Sequence, residues 1–417
     1  MGHVQIIVVD AMMGMGKTSA SINFMRSHYQ DRRFLFITPY LDEGERIKTA
    51  CPECEFMEPP VYGSKQRGLK SLLRNKANIV STHSLFALLD SEAFELIEQG
   101  RYTLVMDEVF DAVSEYDTSP KDMDILLKAG VVSADDRGVL TWEADDGYAG
   151  IFSKVKRDLE SRSIVRVRPP PLNGDSDFDG QSMLLSVMPT DSFGCFEEIY
   201  VLTYLFDGSL LKSYFDFYGF SYQYIGVKKD NGAYVLTDTP TPVTVPGLSS
   251  LVDIWMPSHK AQKGIGSRKN SLSYSWFKNH PASSEQVKML KRNIRNYFVN
   301  VTRARSGDCL WTTYKFAEKK LSGPGYAASF EAHNIRATNK YRDRWAVVYA
   351  LNKFISPGIV EFFEQHDIAV DADQYALSTI IQFIWRSAIR DGNPISIYIP
   401  SLRMRQLFET WLKEVSA

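Results

Sequence analysis

Cysteine is scarce in this 417-residue chain, with four in all: Cys51, Cys54, Cys195 and Cys309. Cys51-Pro-Glu-Cys54 has half the spacing of a zinc knuckle, but no second pair or nearby His pair completes it. The expected state is a loop with reduced thiols in a reducing cytoplasm. Long apolar runs are missing as well. No stretch reaches the roughly 18 residues of a membrane span, and the short run Val4–Val9, with no basic lead or cleavage site, does not read as a signal peptide. Charge of one sign is also absent. Lys and Arg number 48 against 50 Asp and Glu, a net charge of −2, so bulk charge excludes nothing but indiscriminate polyanion binding and leaves local basic stripes to be sought. There is no internal repeat and no low-complexity tract. What remains is an ordinary 44% hydrophobic content over a length sufficient for two or three domains.

Directly after Val4–Val9 stands Ala11-Met12-Met13-Gly14-Met15-Gly16-Lys17-Thr18, then Ser19 and a predicted helix to His28. A buried strand, a glycine-rich turn and Lys-Thr at a helix start cradle polyphosphate. Backbone N–H groups from Met13 to Ser19 face the anion, Lys17 reaches the β- and γ-phosphates, and Thr18 ligates Mg²⁺. The phosphate-loop pattern has Gly where Ala11 stands, but Gly14 and Gly16 still supply the tight backbone. Nucleoside triphosphate binding is the expectation.

Apolar strands alternate with amphipathic helices through the first hundred residues: strands at Phe34–Thr38, Asn78–Val80 and Tyr102–Met106, helices at Leu41–Ala50 and Leu85–Glu98. That alternation predicts a parallel sheet covered on both faces. From about 116 to 190 it lapses into a hairpin around Asp135–Gly138, an acidic patch and the loop 169–180, read as an insertion or accessory subdomain. A strand at Ile199–Thr203 and a helix to Tyr218 follow, and the first domain is drawn as 1–225. The second, 226–417, opens with an irregular linker region (226–280) that includes the Thr/Pro-rich Leu236–Val245. Its predicted elements are a basic helix (Ser284–Phe298), a strand (Cys309–Thr313), helices at Tyr341–Ile355, Pro357–His366 and Asp373–Arg390, a strand (Ile395–Ile399) and a closing helix (Leu402–Val415).

Asp107-Glu108 closes the strand Leu104–Met106. A carboxylate at a strand tip holds the Mg²⁺ shell and its neighbour polarises the attacking water, so Asp107 is the metal candidate beside Thr18, and Glu108 the base. Ser81-Thr82-His83-Ser84 and Thr38-Pro39-Tyr40 also follow strands. Each fits either a turn or N-cap, or a contact to a sugar-phosphate backbone. Thr203 ends another strand, as a link to a neighbouring domain or as simple packing. Between Gln286 and Gly307 the chain carries Lys288, Lys291, Arg292, Arg295, Arg303 and Arg305 with no acidic residue: a solvated helix face or a phosphate track. Gln382, Arg386 and Arg390 are spaced by four, so in one helix they share a face. That face is either laced with salt bridges or presents arginine fingers to a phosphate.

In order, these pieces resemble superfamily 2 helicases and translocases. Ala11–Thr18 looks like motif I, Thr38-Pro39 like motif Ia, Ser81–Ser84 like the Ib/Ic region, Asp107-Glu-Val-Phe110 like motif II and Leu202-Thr-Tyr-Leu205 like motif III. Asn334-Ile-Arg336-Ala-Thr338-Asn339 sits where motif V belongs, and Gln382…Trp385-Arg386 looks like motif VI. The Leu-Thr-Tyr-Leu-Phe and Trp-Arg-Ser-Ala-Ile-Arg phrases are similar to small replication helicases of tailed bacteriophages, and the first half distantly to herpesvirus origin-binding helicases. The chain departs from the pattern at Phe110, where His or Asp is usual, at Trp385, where Gly is usual, and at Arg390, one position late. No adenine-reading Gln element precedes motif I.

The resemblance implies two tandem RecA-like α/β domains with parallel sheets, ATP and Mg²⁺ held between them, and Arg386, Arg390 and Gln382 completing catalysis by Lys17, Asp107 and Glu108. It implies nucleic acid as the partner, single-stranded or forked DNA first and RNA second, contacted by Thr38, Pro39, Tyr40, Thr82, His83, Lys291, Arg292, Arg295, Arg336, Thr338 and Asn339. A monomer in the host cytoplasm, working with replication proteins and without a membrane, completes the expectation. Competing classes are a terminase-type DNA-packaging ATPase, a nucleoside kinase, and a loading or origin-recognition factor switched by ATP. The first needs a nuclease metal cluster that Asp367, Asp371 and Asp373 do not make convincingly.

Overall fold

The computed structural model describes residues 4–61, 63–145, 147–168, 182–242, 244–257, 265–334 and 340–417. The chain opens β1 (Gln5–Asp10), α1 (Lys17–His28), β2 (Arg33–Thr38), α2 (Leu41–Ala50), α3 (Lys65–Arg74), β3 (Ile79–Thr82) and β4 (Tyr102–Asp107). An accessory region follows with β5 (Val113–Glu115), β6 (Val132–Ala134), β7 (Leu140–Trp142), β8 (Ser163–Val167) and β9 (Met183–Val187). Then come β10 (Glu198–Thr203), β11 (Tyr222–Asp230) and β12 (Ala233–Thr237). The main sheet has the order β12-β11-β1-β10-β4-β2-β3, parallel throughout except for the antiparallel β11–β12 hairpin. Its strands are continuous buried runs (Ile6–Val9, Phe34–Ile37, Leu104–Met106, Ile199–Leu202), as a sheet covered on both faces requires. Parallel pairing brings every strand's carboxyl end to one edge, and there the sequence's candidate motifs collect.

The second sheet, β13-β16-β15-β14, is wholly parallel, built from β13 (Val252–Ile254), β14 (Cys309–Thr312), β15 (Ala346–Tyr349) and β16 (Ile395–Tyr398). The fold is therefore α/β with two parallel sheets, as expected. One compact unit comprises Met1–Asp10, Gly16–Thr241 and Ile355–Asp371; the other comprises Ala11–Met15, Pro242–Phe354 and Ala372–Ala417. The first thus runs beyond 225, because β11 and β12 complete its sheet. It also takes in the helix Pro357–Glu364, which seats on the accessory sheet β5-β9-β8: Phe362 packs on Phe217 (centroids 5.1 Å apart) and Ser356 hydrogen-bonds the Glu115 carboxylate.

Several elements differ from the sequence reading. The stretch drawn as a helix over Tyr341–Ile355 contains β15; a short, wholly apolar run does not distinguish a buried parallel strand from a buried helix. The helix drawn as Leu85–Glu98 is two, His83–Phe86 and Ser91–Gly100, because Asp90 caps the second by accepting from Ala93 N–H at 3.1 Å. α3, capped by Ser64, and β13 were not predicted. Cys51 and Cys54 form a disulfide, where free thiols were expected; the turn Pro52–Cys54 brings them together within the core. The loop 169–180 and the motif V candidates Arg336, Thr338 and Asn339 lie outside the described residues. Among the described residues, no helix is long and apolar enough to cross a membrane.

Arg403 organises the carboxyl edge of the second sheet. Its guanidinium donates to Asp373 (2.6 and 3.0 Å), Asn352 Oδ1 (3.1 Å) and the carbonyls of Lys353 (2.8 Å) and Ala372 (3.0 Å). It therefore ties together the two ends of the excursion 355–371. A planar fork meets these acceptors and an ammonium does not. Arg403→Ala is expected to lower stability by about 3 kcal/mol in denaturant unfolding, with Arg403→Lys recovering only a minor part.

Candidate functional site

α1 begins at Lys17 because Gly16, in the left-handed region (φ 85°), turns the chain into it; Gly14 is left-handed as well (φ 86°). The cap residue, Gly16, has no side chain to accept the first N–H groups, and the first turn holds no acidic residue, so the positive end of the helix is not offset by a carboxylate of its own first turn. Met13, Met15, Lys17 and Thr18 are half-buried around the loop, whereas Gly14 and Ser19 are exposed. Tyr234 of β12 lies against Gly16, where an added Cβ would come within 2.3 Å of the ring, and Asn23 of α1 donates to the Tyr234 carbonyl at 2.8 Å. The hairpin thereby holds the loop from the side.

Thr18 Oγ1 donates to Asp107 Oδ1 at 3.2 Å. A hydroxyl and a carboxylate meeting at the carboxyl edge, beside an open helix start, are the donor set that a Mg²⁺–triphosphate needs. Asp107 is not on the neighbour of β1: β10 lies between β1 and β4. Burial first, then the adjacent Glu108, push the Asp107 carboxyl up to about 7; Arg46 and Lys17 pull the other way. Glu108 sits in the left-handed region (φ 63°), its N–H bonded to the Leu202 carbonyl at 2.9 Å. A non-glycine residue held there stores strain, as functional carboxylates often do.

Three residues here escaped the sequence reading. Asp10, the last of β1, accepts from the N–H groups of Leu205 (3.0 Å) and Phe206 (2.9 Å), binding the β1 and β10 tips together. Its carboxyl is raised by burial, against those bonds and nearby Lys17. An acidic residue ending an apolar strand was the available signal. Arg46, paired with Glu43 at 2.7 Å on α2, adds charge near Asp107; Tyr234 is the third. Neither carries a signal in local sequence.

The strand-tip residues differ in exposure. Thr38 is 1% exposed and His83 is buried, its ring 5.2 Å from that of Phe110. Thr82 accepts from Leu85 N–H at 3.3 Å, so it is the N-cap that the alternative allowed. Pro39 is half-buried and Tyr40 is 43% exposed, so Tyr40 is the outward member. Phe110, in place of a polar motif II residue, joins an aromatic cluster with His83, Phe86 and Phe193.

In the second unit, the helix carrying Gln382 ends at Ile384. Arg386 lies beyond it and is 5% exposed, with Glu331 in its electrostatic surroundings. Arg390 falls in a separate 3-10 turn, Ala388–Asp391, and is exposed. Gln382, Arg386 and Arg390 therefore do not share one helical face. The chain turns after Ile384 because Trp385 packs on Trp411 of the closing helix, ring centroids 5.6 Å apart. On the basic helix Glu285–Asn296, Lys288 is taken by Glu285 at 3.0 Å, a partner one residue outside the acid-free window. Lys291 is half-buried; Arg292 and Arg295 are exposed.

Gly16→Ala is expected to cost at least about 1–2 kcal/mol from the left-handed backbone alone, with further loss from the clash at Tyr234, read by thermal unfolding. Asp107→Asn is expected to stabilise the metal-free chain. The folded carboxyl lies above its unfolded value of 3.8, so its full contribution is present at low pH and is lost as pH rises through about 7. The variant's gain in melting temperature should appear above about pH 7 and vanish below about pH 4. Because part of the Asp107 surface stays open, the gain should be smaller than full burial would produce.

Residues 247–412 match the family model described as the YonV C-terminal Rossmann-like domain. A solved structure, S. tokodaii Xpd4, aligns with a TM-score of 0.47 and 11% identity over 98% of this chain and 94% of that one. The SPbeta prophage-derived uncharacterized protein YonV of Bacillus subtilis (strain 168) is 35% identical over 425 residues, covering 98% of this chain and 99% of that protein. At that identity, over essentially both full lengths, the chain belongs to the YonV family.

Proposed function

We propose that this protein is an ATP-dependent motor that translocates on nucleic acid, with single-stranded or forked DNA as substrate. The observation that carries the reading is the Thr18–Asp107 contact beside the start of α1, which the left-handed Gly16 turns. In this reading Lys17 and the N–H groups from Met13 to Ser19 bind the β- and γ-phosphates of ATP, and Thr18 and Asp107 hold Mg²⁺. The ion, when bound, neutralises phosphate charge. Glu108 orients water for in-line attack on the γ-phosphorus and accepts its proton as the bond to the β-phosphate oxygen breaks, yielding ADP and phosphate. Arg386 is the candidate guanidinium for the developing charge; Gln382 and Arg390 take supporting roles.

Tyr40, Lys291, Arg292 and Arg295 are the strand contacts that remain open to solvent at least in part, with Arg336, Thr338 and Asn339 proposed alongside them. Thr38, Thr82 and His83 act beneath this layer, as packing and cap. The prophage origin of the relative fits a role in replication, recombination or repair in a host cytoplasm, alongside replication proteins.

ATP turnover measured with and without single-stranded DNA, single-stranded RNA and forked duplex tests this. Strand-stimulated hydrolysis is expected, abolished by chelating Mg²⁺. Lys17→Ala, Glu108→Gln and Arg386→Ala should each lower it by about 10³-fold or more with the fold intact. Nucleotide binding without stimulated turnover would favour an ATP-switched loading factor instead. Normal turnover in the Lys17 or Glu108 variants would remove the mechanism.

A further inference from the structure

A second surface of the second unit, next to the basic helix, combines exposed rings with cations. Tyr274 opens the helix Tyr274–Asn279 and is 53% exposed. Phe316, in the turn Lys315–Ala317, is 38% exposed, and the two rings meet edge to face with centroids 4.9 Å apart. Beneath them Tyr314 is fixed by donating to the Asn352 carbonyl at 2.8 Å, and it stacks on Phe316 with centroids 5.9 Å apart. The ammonium of Lys278 stands over both exposed rings, 5.3 Å from Tyr274 and 4.9 Å from Phe316. It makes no ion pair among the described residues. Lys320 is locked into the scaffold by donating to the carbonyls of Phe277 and His280, and it stands as a second cation 5.9 Å from the Phe316 ring. Lys319 is exposed beside it. The neighbouring carboxylate in sequence, Glu318, is paired with Lys315 at 2.7 Å.

Large rings on a surface are costly to leave wet unless something covers them. A purely apolar partner does not explain cations placed over the same rings, and a purely electrostatic one does not explain the rings. Flat, sequence-independent π-faces combined with point charges match a strand whose bases are unpaired. We propose that Tyr274 and Phe316, with Lys278 between them, form a base-stacking platform for single-stranded nucleic acid. A base entering over the rings displaces the ammonium, since a cation–π contact at an exposed site is weaker than base–aromatic stacking. Lys278 then pairs with the phosphate of the same nucleotide. The platform rests on the nucleic-acid reading above, and it adds a place and a recognition mode: stacking without edge readout, hence tolerance of base identity.

The test is fluorescence anisotropy of the full chain with labelled oligothymidine, a matched abasic oligomer and a blunt duplex. The wild-type chain should bind oligothymidine at least about 10-fold more tightly than the abasic strand or the duplex. Tyr274→Ala with Phe316→Ala should erase that preference, and Tyr274→Phe with Phe316→Trp should restore it, which separates stacking from loss of fold. Lys278→Ala should weaken binding and reduce the salt slope by about one ion. Equal binding of abasic and base-bearing strands, or an unchanged preference in the double alanine variant, overturns the platform and leaves the motor reading standing. If the wild-type chain binds no strand at all, both fall.

Discussion

The bond from Thr18 to Asp107 is the constraint around which the first sheet is arranged. For a hydroxyl on α1 to reach a carboxylate on β4, the helix must begin at Lys17 without delay, which Gly16 permits by turning left-handed. The contact spans β10, which lies between β1 and β4 in the sheet. Tyr234 and Asn23 then hold the loop laterally. The arrangement is unfavourable for the resting protein: burial and Glu108 both work against an ionised Asp107.

Around this bond the strand tips are laced together by unlike means. Asp10 joins β1 to β10 through two backbone N–H groups, and Glu108 joins β4 to β10 through its own N–H. From β4 to β3 the link is aromatic, Phe110 against His83 and Phe86. The departure at Phe110 therefore does not leave a gap. A directional hydrogen bond would report small shifts sharply, whereas a packed ring transmits them through excluded volume.

How much of this was legible depended on whether a signal was local. The strand–turn–helix from β1 to α1, the strand ending at Asp107, the parallel sheet and the Asp135–Gly138 hairpin rest on neighbouring residues, and the structure has those elements where the pattern placed them. The carboxyl-edge hydroxyls were ambiguous because a cap and a phosphate contact use the same side chains; the helix after β3 made Thr82 a cap. β15 was misread because Ala346–Tyr349 has neither period in four residues. The arginine helix was drawn too long because spacing by four presumes an unbroken helix, and the Trp385–Trp411 contact that ends it lies in a distant segment. Asp10, Arg46 and Tyr234 became visible only once strand order was known.

The division into units carries one more consequence. After its first short visit at Ala11–Met15, the chain enters the second unit again at Pro242, leaves it at Ile355 and returns at Ala372. The excursion supplies the helix Pro357–Glu364, whose Phe362 and Gly358 fit Phe217 and Met183; a Cβ on Gly358 would approach the Met183 sulfur to 2.9 Å. A fragment ending near Thr241 would thus expose the accessory sheet face that this helix covers. The complementary fragment would carry an amphipathic helix with no surface to bury it. The two units are not separable by one cut, and Arg403, which holds Lys353 and Ala372 at the two ends of the excursion, fixes the spacing at which the chain leaves and re-enters.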